Sequence, residues 1–196
     1  MPGVTLYVLS DSAVYYDAGF SGSVTVPNGV TQVQVWLQAA GGAGAERSGI
    51  AGSAGGGGGF ATLTRSVLSG EWGTTLTLAV GAGSLGANGG ATTLSGTLNG
   101  ASVSVTCNGG NKGTASADGT GGTASGGDSN VSGYDGTGYV ASPPDERVQG
   151  IGGAGGGDGV SGALASGRGD YGAGSDGALT GEGLPGGPGY AKFIWS

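Results

Sequence analysis

Thr31-Gln32-Val33-Gln34-Val35-Trp36-Leu37-Gln38 places Val33, Val35 and Leu37 on one face of an extended chain and Gln32, Gln34 and Gln38 on the other. This is the period-two alternation of a half-buried β-strand. The same period recurs at Val4/Leu6/Val8, Val24/Val26, Ala61/Leu63/Arg65/Val67, Leu76/Leu78/Val80, Val103/Val105/Cys107 and Ala191/Phe193/Trp195. Seven short strands of this kind predict an antiparallel sheet system. Pro27-Asn28-Gly29 predicts a turn, because Pro presets φ for the first corner and Asn-Gly tolerates positive φ. Leu68-Ser69-Gly70-Glu71-Trp72-Gly73 is expected to join two strand runs as a hairpin.

The strands are separated by tracts 39–59, 81–90, 108–138 and 150–189, which hold most of the 52 Gly among 196 residues. Gly costs a helical position about 0.5–1 kcal/mol relative to Ala, and no apolar stripe of period 3.6 offsets that cost. Almost no helix is expected. The phase of the glycines is informative. Between Gly152 and Gly189 lie 17 Gly, and in steps of three 9 of them fall in one class, from Gly153, Gly156, Gly159 and Gly162 through Gly174 and Gly177 to Gly183, Gly186 and Gly189. A weaker phase runs through Gly110, Gly113, Gly119 and Gly122, and another through Gly127, Gly133 and Gly136.

Three residues per turn is the period of polyproline-II geometry, which makes no internal hydrogen bonds, so its N–H and C=O groups must pair with neighbouring segments. Columns of Gly facing each neighbour let such helices approach closely. The fold expected is therefore all-β, a short antiparallel β-sandwich-like base whose Gly-rich loops pack as a polyglycine-II bundle; the alternative is that these tracts behave as flexible Gly/Ser linkers. Collagen is excluded, because the triplet is broken at Ala165, Arg168, Tyr171 and Thr180 and Pro is scarce. The closing Tyr190-Ala191-Lys192-Phe193-Ile194-Trp195 needs a surface on which to bury its aromatic side, and is expected to return to the sheet near the first strands.

Composition narrows the chemistry. Charged residues make up 10%, with net charge −7, which disfavours a nucleic-acid partner because phosphate neutralisation needs clustered Lys and Arg. His is absent and Cys107 stands alone, so an intrachain disulfide and a Cys–His metal site are excluded. The N-terminal stretch has no basic region and only a short apolar run; neither a signal peptide nor a membrane span is expected. Gly81-Ala82-Gly83-Ser84-Leu85-Gly86 matches a dinucleotide fingerprint formally, but Ala87-Asn88-Gly89-Gly90 continues the loop where the helix should start. Arg168-Gly169-Asp170 reads as a chance triplet, and Asp145-Glu146, being adjacent, point apart and nominate no acid–base pair. The expectation is no enzyme and no cofactor, and no metal ligand is nominated; Asp158, Asp170, Asp176 and Glu182 are read as keeping the loop tips soluble, with a cation held together with backbone carbonyls as the alternative.

In order, Phe20-Ser21-Gly22-Ser23-Val24-Thr25-Val26-Pro27-Asn28-Gly29-Val30, the Val/Trp strand, Gly55 to Gly59, Phe60-Ala61-Thr62-Leu63, Leu76-Thr77-Leu78-Ala79-Val80-Gly81-Ala82-Gly83 and the closing Gly189 to Trp195 resemble the glycine-rich domain of bacteriophage tail-fibre, minor tail and other virion proteins. The resemblance covers roughly residues 20–196. It implies a non-enzymatic virion component made in the host cytoplasm and carried on the particle surface, an exposed tail-fibre or adhesin part binding the host. Capsid decoration or a head fibre is the alternative, and an ice-binding-like polyglycine-II protein, which would need one flat face of small residues, is the alternative of another class.

Partners expected are other virion proteins, further copies of the chain with a trimer as one arrangement, and a host-surface glycan or outer-membrane protein, without nucleic acid or membrane insertion. The division expected is an N-terminal strand segment at 1–19 and a glycine-rich domain at 20–196. Tyr134, Asp135, Tyr139, Asp170 and Tyr171, aromatic and acidic residues on Gly-rich loops, are the candidate recognition residues. Val4, Leu6, Val8, Tyr15 and Tyr16 are the candidates for docking on a virion partner or neighbouring subunit; the other reading makes them edge strands of the same sheet.

Overall fold

A computed structural model describes residues 13–45, 53–114, 116–137, 174 and 184–196. They form two antiparallel five-stranded sheets. The strands are β1 (Ala13–Asp17), β2 (Ser21–Thr25), β3 (Gln32–Gln38), β4 (Phe60–Ser66), β5 (Thr75–Ala79), β6 (Thr92–Leu98), β7 (Ala101–Cys107), β8 (Ala124–Ser125), β9 (Ser129–Val131) and β10 (Tyr190–Trp195). Sheet A has the order β1-β10-β3-β4-β9 and sheet B the order β2-β5-β6-β7-β8. The inward positions of both sheets meet in one core, with Val33, Val35, Leu37, Leu63 and Phe193 from sheet A against Leu76, Leu78, Leu94, Leu98 and Val105 from sheet B. Burying each of these side chains contributes about 1.5–3 kcal/mol.

Six of the seven expected strands are present, and the seventh, Val4/Leu6/Val8, lies outside the described residues. The last strand does return, pairing with β1 on one side and β3 on the other. Residues 13–17 thus share a sheet with the chain terminus. Strand β6 was not anticipated because Gly96 interrupts its alternation. The signal that reveals it is Asn99-Gly100, with φ of 55° and 68°, the residue pair a two-residue β-hairpin turn favours.

The expected hairpin at Leu68–Gly73 is corrected: β4 belongs to sheet A and β5 to sheet B, and the two do not pair. The segment is a crossover with a short 3₁₀ turn at Ser69–Glu71, the only helical element among the described residues. It packs beside the β2–β3 crossover, which holds Pro27-Asn28-Gly29 with Gly29 at φ 83°. Val26 N–H donates to Thr74 O, Gly73 N–H to Val26 O, Val67 N–H to Thr31 O, and the Trp72 indole N–H to Val30 O. Strand pairing is replaced here by loop-to-loop bonding, so the chain changes sheet without orphaning its backbone groups.

At the opposite pole β3, β5 and β7 run out of the sheets, and β4, β6 and β10 run in, all through Gly-rich segments. There the hydrogen-bond period changes from two to three. Ala39, Gly42 and Ala45 donate to Gly59, Gly56 and Ser53; Ala40 and Ala43 donate to Gly90 and Ala87; Gly41 and Gly44 donate to Gly187 and Leu184. One segment therefore bonds three antiparallel neighbours in rotation, and its carbonyls at Ala40 and Ala43 accept from Gly110 and Gly113 of a parallel fourth. Segment 53–59 is embedded likewise, with Gly56 and Gly59 donating to Asn111 and Asn108, and Gly119 and Gly122 donating to Ala54 and Gly57. This is polyglycine-II packing. A strand has partners on two sides, a threefold helix on three or more, so the two sheets fuse into one lattice as they leave the sandwich.

The expected Gly phases are the positions of closest approach. A Cβ on Gly110 or Gly113 would run into the backbone of 53–57, and one on Gly133 or Gly136 into the backbone of 54–58. Gly174, Gly186 and Gly189, the described members of the 153–189 class, face the carbonyls of Gly55, Gly41 and Gln38. The hydrogen standing where Cβ would be is aimed at a carbonyl oxygen, the arrangement of a Cα–H···O contact. Ala39, Ala40, Ala43 and Ala54, each fully buried, fill the remaining spaces.

The junction of sheet and lattice is polar and fully bonded. Gln38 Nε2 donates to the carbonyls of Ala39, Gly58 and Gly59, and Thr92 Oγ1 donates to Gln38 O while accepting from Gly81 N–H. Because the lattice amides are bonded and buried, Gly42, Gly56 and Gly57 should exchange with solvent at least about a thousandfold more slowly than in an unstructured chain. Exchange of these amides at the unstructured rate, followed by NMR, would remove the lattice.

Candidate recognition surface

The lattice ends at side chains. Where a further glycine helix would supply a carbonyl, Asp135 Oδ1 accepts from Gly121 N–H at 2.7 Å, Asp118 Oδ1 from Ala54 N–H at 3.0 Å and Asn88 Oδ1 from Lys112 N–H at 3.0 Å. Asn108 and Asn111 bond the Thr123 and Thr120 hydroxyls across one margin. Short polar side chains thus satisfy margin amides that would otherwise recruit another chain, as capping does at a helix end. Asp135, a candidate recognition residue, has a structural partner. Replacing it by Ala should speed exchange of the Gly121 amide before that of Gly56 or Gly57.

Tyr134 sits on the same margin. Gly133 and Gly136 donate to Gly122 and Gly119, and Tyr134 O accepts from Gly57 N–H, so the backbone is held on both flanks of the residue. Tyr134 is 64% exposed, the most exposed of the large hydrophobic residues described. Tyr139, Asp170 and Tyr171 lie outside the described residues, as do Val4, Leu6 and Val8.

Tyr15 and Tyr16, adjacent on β1, face opposite ways. The Tyr16 ring packs on Phe20 and Phe193 at centroid distances of 4.7 and 5.6 Å, and burial raises its pKa, so it serves the core. Tyr15 faces outward, where Lys192 Nζ lies 5.4 Å from its ring and 4.4 Å from that of Trp36.

Residues 18–194 match the model of a family described as a glycine-rich domain. The chain belongs to the glycine-rich domain family. No curated protein matches it. In this glycine-rich domain Cys107 is a packing residue: it is buried between the sheets with its thiol donating to Leu37 O, and burial pushes its pKa up to about 12, leaving it a neutral, unreactive thiol at pH 7. Among the described residues no group of three or more His, Cys, Asp or Glu is placed to hold a metal, and no helix is long and apolar enough to cross a membrane. The one ion pair among them, Arg65 with Asp128, fastens short β9 to β4, with Asp128 Oδ2 also accepting from Thr64 N–H at 2.7 Å.

Proposed function

We propose that the protein is a non-enzymatic bacteriophage virion component, exposed as part of a tail fibre or adhesin, which binds the host surface through its glycine-rich pole. The observation that carries this reading is Tyr134, an exposed aromatic whose backbone is bonded into a stiff lattice. A Tyr ring offers an apolar face and a hydrogen-bonding end, and fixing its backbone in advance lowers the ordering cost of contact. Repeated copies on a particle would convert weak single sites into firm attachment. The resemblance of the motif order to virion glycine-rich domains supports the particle context.

The test is adsorption. Fab fragments against the 132–137 margin should block attachment of particles that carry the protein, and purified Tyr134→Ala protein should compete at least about tenfold less well than wild type, the loss expected of a central aromatic anchor. Unimpaired adsorption of Fab-saturated particles would refute the reading. Density for the chain at capsomer centres would instead assign it to shell decoration.

One observation favours an ice-binding-like second reading. The outer face of sheet B is a registered array of small hydroxyl side chains, with Ser23, Thr77, Ser95 and Ser104 in one row and Thr93, Thr106 and Ser125 in the next. Rows lie about 7 Å apart along the strands and strands about 4.8 Å apart. Sheet twist works against the flatness that reading needs. Thermal hysteresis that disappears in Thr77→Tyr would establish it.

A further inference from the structure

The outer face of sheet A differs from that of sheet B in kind. Register sets Tyr15 of β1, Lys192 of β10, Trp36 of β3 and Thr62 of β4 side by side across four strands. Neighbouring strands are about 4.8 Å apart, so the two aromatic residues stand roughly 10 Å apart with Lys192 between them. The ammonium is held 4.4 Å from the Trp36 centroid and 5.4 Å from that of Tyr15. Gln34, exposed, lies one row away on β3. An aromatic pair, a positioned cation and side-chain amide and hydroxyl groups thus share one sheet face, with Tyr15, Trp36, Lys192 and Thr62 half-buried and Gln34 exposed.

We propose that this face binds an acidic polysaccharide of the uronic or sialic type. Such a sugar presents three chemistries at once: an apolar C–H face, hydroxyl groups and a carboxylate. Trp36 and Tyr15 match the first, Gln34 and Thr62 the second, and the Lys192 ammonium the third. Charge selects the acidic class. The attraction is local, one carboxylate against the Lys192 ammonium, because the net charge of −7 and Asp17, exposed one row from Tyr15 on the same face, repel a polyanion as a whole. A protein partner with an apolar patch would have to bury the Lys192 charge without an anion, which is costly. The inference stands on sheet A alone and needs neither Tyr134 nor the particle context.

Affinity electrophoresis of the full chain through alginate, with dextran as the neutral probe, tests it. Retardation by alginate but not dextran is expected, weakening as salt is raised. Lys192→Gln keeps most of the stem and should lose at least tenfold in alginate affinity. Trp36→Ala should abolish retardation, Trp36→Phe should restore part of it, and Tyr134→Ala should bind as wild type does. Amide spectra of the variants establish that β3 and β10 remain paired. The proposal is overturned by equal retardation in both polymers, by wild-type affinity in Lys192→Gln, by retardation in neither, or by loss in Tyr134→Ala with none in Trp36→Ala.

Discussion

Gly110→Ala should lower the melting temperature by about 10 °C, whereas Gly70→Ala should leave it within about 2 °C. The two substitutions add the same methyl group in different surroundings. Gly110 is bonded to three segments besides its own: its N–H donates to Ala40, its carbonyl accepts from Gly89, and the Cβ direction points into the carbonyl of Gly56. The obstacle is backbone on every side, and backbone of a buried segment has no rotamer with which to yield. Overpacking a dense interior costs about 1–3 kcal/mol, and each lattice bond pulled out of line adds about 1 kcal/mol, for roughly 3–5 kcal/mol in all. Gly70, in the 3₁₀ turn, has nothing within 4 Å of the added carbon and no positive φ to strain. Differential scanning calorimetry of both variants against wild type decides the matter. Equal melting temperatures for Gly110→Ala and Gly70→Ala would mean that the glycine helices do not pack as one body.

The contrast also explains how far the sequence could be read. Period-two alternation located β3, β4, β5, β7 and β10 because each has one buried face made of Val, Leu, Ala or aromatic residues. The period-three glycine phase located Gly110, Gly113, Gly133 and Gly136 because only hydrogen fits where two backbones touch. Both are consequences of local crowding that each residue records for itself. Segment 39–45, the centre of the lattice, carries no such mark: Ala39, Ala40 and Ala43 sit in wider gaps between helices, so its glycine phase is diluted although its bonding is the most complete. Partner choice between strands was equally hidden, and β4 and β5 looked like a hairpin because loop length and turn residues alone do not say to which sheet the next strand goes. The Tyr15–Lys192–Trp36 row joins residues 177 positions apart in the chain, and only the return of β10 between β1 and β3 brings them together. Tyr134 was found as an aromatic in a glycine tract, but Asp135 beside it turned out to close the lattice margin.

The second large effect is expected at Glu71, the residue that decides where the β4–β5 crossover goes. Glu71 is 8% exposed, and its carboxylate accepts three backbone bonds, Oε2 from Leu68 and Asn99 at 2.9 Å each and Oε1 from Gly100 at 2.8 Å. One side chain thereby ties the crossover to the β6–β7 turn, whose amides point away from their own hairpin. Glu71→Ala leaves three donors without acceptors at about 1–3 kcal/mol each, offset by water reaching the rim, so a loss of about 3 kcal/mol is expected. Glu71→Gln is no gentle change, because its amide group sets a donor against a donor, and about 2 kcal/mol should be lost. Burial opposes the charged form, but the N–H groups of Gly100, Leu68 and Asn99 outweigh it and hold the carboxyl below its ordinary value of 4.5. A depressed folded-state pKa contributes stability that is complete above the unfolded value and lost as pH falls through the folded one. Urea midpoints should therefore separate wild type from Glu71→Gln at pH 7 and converge as the pH is taken well below 4.5. A separation that persists undiminished in acid would show that the side chain acts by shape and not by its charge.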